Sequence, residues 1–146
     1  MKIEASSICF DQKDGDRISA VITASRGVCR KLAADWGAVV DSRCLSEGCD
    51  DIIFAGRYDG NAELWKASWC VAELIYFRLV ESGVSPSEAE EVLPDSVMAM
   101  ARLTLSVEEW KRFCRECSGS GPHLSRLAVL ASFRLKEIFP GDFDDV

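Results

Sequence analysis

The stretch from Asn61 to Gly83, "NAELWKASWCVAELIYFRLVESG", restricts the fold more than any other part of the chain. Leu64, Trp65, Trp69, Ala72, Tyr76 and Leu79 recur at three- and four-residue steps, which predicts a helix from about Ala62 to Ser82 with Gly83 as its stop. Val71, Ile75 and Phe77 widen the apolar stripe. A stripe that broad needs cover on more than one side, from a central position or from another subunit. Trp65, Trp69 and Tyr76 are therefore the candidate interface residues.

Shorter elements flank this helix. "KIEASSICF" and "RISAVITAS" are β-prone runs around "DQKDGD". They predict an antiparallel hairpin with a loop longer than two residues. "RGVCRKLAADW" turns to helical spacing, with Val28, Leu32 and Trp36 on one face. Gly37 to Asp51 is irregular and acidic and is expected to be a surface loop, with a short strand in "DIIFAGRY" before a turn at 59–61. Ser85-Pro86-Ser87-Glu88 is a capping box that starts a short helix ending before Pro94. "SVMAMARLTL" is strand-like, and Ser106-Val107-Glu108-Glu109 is a second capping box. "SGSG" is a hinge before a last helix from Pro122 to Ile138, with Leu124, Leu127, Leu130 or Ala131, and Phe133 facing inward. The acidic tail at 140–146 is expected to be flexible.

The fold class that follows is α/β, more narrowly α+β: N-terminal antiparallel strands and a later strand, packed with a long central helix and two to three C-terminal helices. A chain of 146 residues forms one domain, 1–146. Seventeen Lys and Arg stand against 24 Asp and Glu, a net charge of −7, which opposes direct binding of nucleic acid. The sequence shows no signal peptide and no membrane span, so a cytoplasmic protein with no membrane contact and seven reduced cysteines is expected.

Few residues carry chemistry by themselves. Cys44, Cys49, Cys114 and Cys117 are weak zinc candidates, since small buried thiols more often serve as core residues, and no metal is expected. His123 is the one histidine and reads as a surface or capping residue before it reads as a base. Arg26, Arg43, Arg57 and Arg102, with His123, are the candidate ligand-binding residues.

Residues 61–140, taken as an ordered series, resemble the C-terminal half of the flavin-dependent thymidylate synthases. "ELIYFRLVESGVSPSEAEEVLP" follows the family's long helix into its "gly-val … ala-arg-x-val-leu-pro" corner. Thr104, Trp110 and Phe113 fall where one branch has "thr-ala-thr-glu-trp-x-x-phe-phe". "SRGVCRKL" matches the helix that a "pro-arg" opens before the family signature.

The resemblance implies a subunit of a homo-oligomer, a tetramer or dimer, that would bind a flavin dinucleotide and a nucleotide monophosphate. The functional positions depart from it. The signature's His and Arg fall on Asp35 and Trp36, its first Ser on Val39 and its Asn on Asp41. The later Ser and Arg fall on Cys44 and Ser46, or on Arg43 with a small gap. Arginines of the corner, the strand and the "phe-x-x-leu-arg" run become Glu90, Met100 and Cys117, and "gln-x-glu" becomes His123 and Ser125. Each lost guanidinium–phosphate hydrogen bond forfeits roughly 1.5–3 kcal/mol. An Asp about 4 Å from a phosphate adds repulsion of a few kcal/mol at intermediate dielectric.

The expected protein is thus a pseudoenzyme with no catalytic residue and no cofactor, binding a partner protein or a nucleotide-like ligand. A viral or mobile-element inhibitor of host defence is one such role. FAD enters only with the enzyme alternative, a divergent synthase that methylates deoxyuridine monophosphate alone or beside a catalytic paralogue. A third reading is an acidic decoy of a nucleic-acid-binding protein.

Overall fold

The computed structural model describes residues 3–4, 6–41, 52–53 and 62–146. The expected α+β class is what the chain forms. An antiparallel sheet is built from β2 (Ser7–Asp14), β3 (Arg17–Ser25), β4 (Val39–Asp41) and β6 (Met98–Ser106), in the order β2-β3-β6-β4. β1 (Ile3–Glu4) and β5 (Ile52–Ile53) form a separate parallel pair. The helices are α1 (Arg26–Trp36), α2 (Ala62–Glu81), α3 (Pro86–Ala89), α4 (Val107–Cys117) and α5 (Pro122–Ile138), with a 3-10 turn over Glu90–Val92.

Alternation along the two central strands creates the core. Ile18, Ala20, Ile22 and Ala24 of β3 are fully buried and stand opposite Leu105, Leu103, Ala101 and Ala99 of β6. The pairs grade from large to small, and the small end precedes α1, whose Cys29 and Leu32 are fully buried in the same core. At the large end the Trp110 indole N–H donates to the carbonyl of Ile18 (2.9 Å), so this fully buried ring has its polar edge satisfied. The capping box at Ser106 is complete in both directions and starts α4 directly from β6.

Arg26 joins the two parts of the molecule. It is 8% exposed. Its guanidinium donates to the carbonyls of Glu90 (2.9 Å) and Leu93 (2.6 Å), and its Nε lies 3.6 Å from Asp95. The backbone N–H groups of Arg26 and Gly27 donate to the carbonyls of Val97 and Asp95. A Cβ on Gly27 would lie 3.1 Å from that of Asp95, a tight contact that the Asp95 side chain would have to relieve by a few tenths of an ångström. Beyond the corner, Trp69 and Tyr76 of α2 pack with Ala89, Leu93 and Val97 in a second cluster.

Several expectations need correction. The 2–25 hairpin closes through two residues, Gly15 and Asp16, with Gly15 at φ 61° as a primed turn requires. The extra length of "DQKD" is absorbed by a bulge at Asp11. Within the 37–51 segment, Val39–Asp41 is a strand on β6. Phe133 is 68% exposed, because the inward stripe of α5 runs through Leu127, Ala131 and Leu135, and two residues beyond Ala131 is about 200° around the helix. The tail at 140–146 is docked: Phe143 is fully buried in the main core, and Asp142 and Asp145 pair with Lys13 and Lys111, each at 3.0 Å. Among the described residues no helix is long and apolar enough to cross a membrane.

Two substitutions test this account. Arg26→Ala is expected to cost about 2–4 kcal/mol in urea unfolding, because two buried carbonyls lose a charged donor, and Arg26→Lys should restore little of it. Phe143→Ala is expected to cost about 3–5 kcal/mol, whereas a loose tail would make it neutral.

Candidate functional site

The outer face of α1 meets the turn between α4 and α5 in a cleft. Helical spacing buries Val28, Cys29 and Leu32 of α1 and turns Lys31 and Asp35 outward, with Trp36 half-buried. In α4 it buries Trp110, Phe113, Cys114 and Cys117 and turns Arg112 and Glu116 outward. Lys31, Asp35, Trp36, Arg112, Glu116 and Cys117 line a space of about 230 Å³, with Ser120 and Leu124 at its edge. A second recess of about 230 Å³ shares Lys31, Ser120 and Leu124 and adds Gly27, Val28 and His123. Gly121, at φ 93°, makes the turn that brings His123 here.

The cleft's charges cancel. The Arg112 guanidinium sits 4.8 Å over the Trp36 ring, and its Nε lies 3.8 Å from Glu116, a loose exposed pair beyond hydrogen-bond distance. Lys31 and Arg112 are matched by Asp35 and Glu116. The Cys117 thiol reports the local field: burial pushes its pKa up, and the nearby Glu116 and Asp35 push it further, against the opposing pull of Lys31. A phosphate brought here would meet two carboxylates of its own sign, each repelling by a few kcal/mol at about 4 Å and intermediate dielectric. Burial also lowers the pKa of His123, which favours its neutral form, and its buried Nδ1 has no hydrogen-bond partner.

Of the positions that the sequence resemblance aligns with functional residues, Asp35, Trp36 and Cys117 line one recess and His123 lines the adjoining one. Three others gather on the outer face of the sheet, where Val39 and Asp41 of β4 stand opposite Arg102 and Met100 of β6. The remaining candidates disperse. Arg26 is consumed at the corner, beside the carbonyl of Glu90, and is no ligand-binding residue in this arrangement. Arg102 pairs with Asp11 at 2.7 Å on the sheet, away from the cleft. Trp69 and Tyr76 are buried within the chain, which corrects their placement at an outer interface, while Trp65 is 54% exposed. Arg43, Arg57, Cys44 and Cys49 lie outside the described residues. Among the described residues no three His, Cys, Asp or Glu side chains converge as a metal site.

Lys31, Arg112 and Glu116 were not singled out from sequence. The signal available was the Arg112–Glu116 spacing of four, a common solvated pair until Trp36 is seen to lie against it.

Thiol chemistry checks the geometry. The exposed Cys9 and Cys70 should alkylate fast near neutral pH, and Cys29, Cys114 and Cys117 slowly, as read by peptide mass mapping. Cys114 is pushed from 9.0 to about 11, first by burial and then by Cys117. The unfolded chain therefore loses that proton first, so stability should fall as pH rises from 9 toward 11, and Cys114→Ser should flatten that fall.

No protein-family model and no curated protein sequence matches the chain. Among solved structures it is similar to a UMP/dUMP methylase, PolB from Streptomyces cacaoi, whose crystal structure was solved bound with 5-Br UMP. The match has a TM-score of 0.63, covers 83% of this chain and 68% of that one, and carries 16% identity. At that identity the likeness is one of fold: the chain shares the fold of that methylase.

Proposed function

We propose that the chain is a non-catalytic binding protein on a thymidylate synthase-like frame. The observation that carries this reading is the charge-balanced cleft, where Asp35 and Glu116 offset Lys31 and Arg112 around a buried Cys117. A nucleotide phosphate needs forked cationic donors, and each cation of the cleft, Lys31 and Arg112, has a carboxylate beside it in the same lining, Asp35 and Glu116. The buried thiols suit a reducing, cytoplasmic setting. In this cleft each recess is smaller than the roughly 300–1,000 Å³ of most small-molecule sites.

The surface for a partner protein is α2. It packs on its own chain chiefly through α3 and the 3-10 turn. Leu64, Val71, Leu74 and Ile75 lie roughly opposite the buried Trp69 and Tyr76, and each is 45–72% exposed. Apolar residues concentrated in this way mark an interaction surface. A second copy of the chain is the simplest occupant, since a two-fold pairing needs only this one self-complementary stripe.

The enzyme reading, a divergent methylase acting on a uridine nucleotide with bound flavin, is supported by the fold likeness to the UMP/dUMP methylase. It requires an anion clamp assembled elsewhere, for example between subunits or with a catalytic paralogue.

Light scattering on purified protein separates these cases. The wild type is expected to be dimeric or larger, and Ile75→Glu to shift it to monomer while leaving its circular dichroism unchanged. A monomeric wild type would remove α2 as a self-association surface.

A further inference from the structure

A second concavity lies on a neighbouring face of α4, away from the cleft. It is an open trough of about 470 Å³ between α4 and α5. Its lining includes the buried Cys114 of α4, the exposed Val129 and Phe133 of α5, and Val146. Val129 is 63% and Phe133 68% exposed, so the wall is a wet apolar surface. From Val129 to Lys136 it spans two helical turns, about 10 Å. Arg115 of α4 and Lys136 of α5 stand at the rim, and among the described residues neither has an ion-pair partner within 4 Å. Asp145 is the carboxylate that Arg115 influences, and it is paired with Lys111 at 3.0 Å.

We infer that this trough receives an amphipathic helix of a partner protein whose apolar stripe is flanked by acidic residues. The shape selects a helix: an open trough leaves a small amphiphile largely in water, whereas a helix lying along α5 covers both exposed side chains with anchors at three- and four-residue steps. The charge selects acidity. Arg115 and Lys136 form a local cationic rim on a chain of net charge −7. Repulsion from the rest of the surface is screened beyond about 8 Å at physiological ionic strength, while contacts at the rim are closer than that. The occupant is thus read from the local pair of cations, not from the overall charge.

The test is panning of a displayed library of helical peptides on the full wild-type chain. Enriched sequences should carry Leu, Ile or Phe at i and i+3 or i+4, with Asp or Glu beside them. Their affinity should fall at least about tenfold on Lys136→Glu and on Arg115→Glu, and should be lost on Phe133→Ser. All three side chains are exposed enough that an unchanged melting temperature is expected for each variant. No enrichment, enrichment of basic sequences, or affinity indifferent to Lys136→Glu and Phe133→Ser would overturn the proposal. Dodecanoate titrated in parallel tests the other occupant: its binding to wild type without peptide enrichment would assign the trough to small amphiphiles and overturn the helix.

Discussion

The buried guanidinium of Arg26 holds the molecule's two parts in register. On one side of it lies the main core of β3, β6, α1, α4 and α5; on the other lies the smaller cluster of α2, α3 and Val97. Five contacts converge there: two side-chain hydrogen bonds, two backbone hydrogen bonds and the approach to Asp95. A charge this deeply placed is tolerable because carbonyl oxygens surround it, and withdrawing it would strand them. The corner that turns α2 toward the sheet depends on this one side chain. An arginine spent in this way is not available to fork onto a phosphate.

That constraint connects fold to function. The frame and the chemistry on it are separable, since packing residues set one and a few side chains at a cleft set the other. Here the packing positions, such as Ala99, Ala101, Trp110 and Phe113, are buried and satisfied. The cleft positions carry two cations and two carboxylates. Burial first, and then Glu116 and Asp35, raise the pKa of Cys117. The likeness to a UMP/dUMP methylase is one of fold and says nothing by itself of the chemistry in this cleft.

Much of the fold was legible because its signals are local. Ser85 as a simple N-cap and Ser106 as a full capping box start the helices they suggested, and the period of α2 and the alternation of β6 are visible in a dozen residues. What was missed depends on contacts distant in sequence. The burial of Phe143 rests on a core that α5 must first build, and Gly15 as the first of two turn residues depends on a bulge at Asp11 placed by β3. Trp69 and Tyr76 looked equivalent to Trp65 until α3 covered them. The site was legible only in part. The replaced residues could be named one by one, but that Asp35, Trp36, Cys117 and His123 share a cleft follows from the α4–α5 turn at Gly121, which no spacing rule reveals.

The central proposal is that this chain, with the fold of a methylase, binds neither flavin nor nucleotide in its cleft. The most direct measurement is the visible absorbance of freshly purified protein, followed by titration with flavin dinucleotide and deoxyuridine monophosphate. The account expects a colourless protein and no saturable binding of either compound below about millimolar concentration. Stoichiometric flavin bands, or micromolar binding of either compound, would contradict it and restore a catalytic role to the cleft.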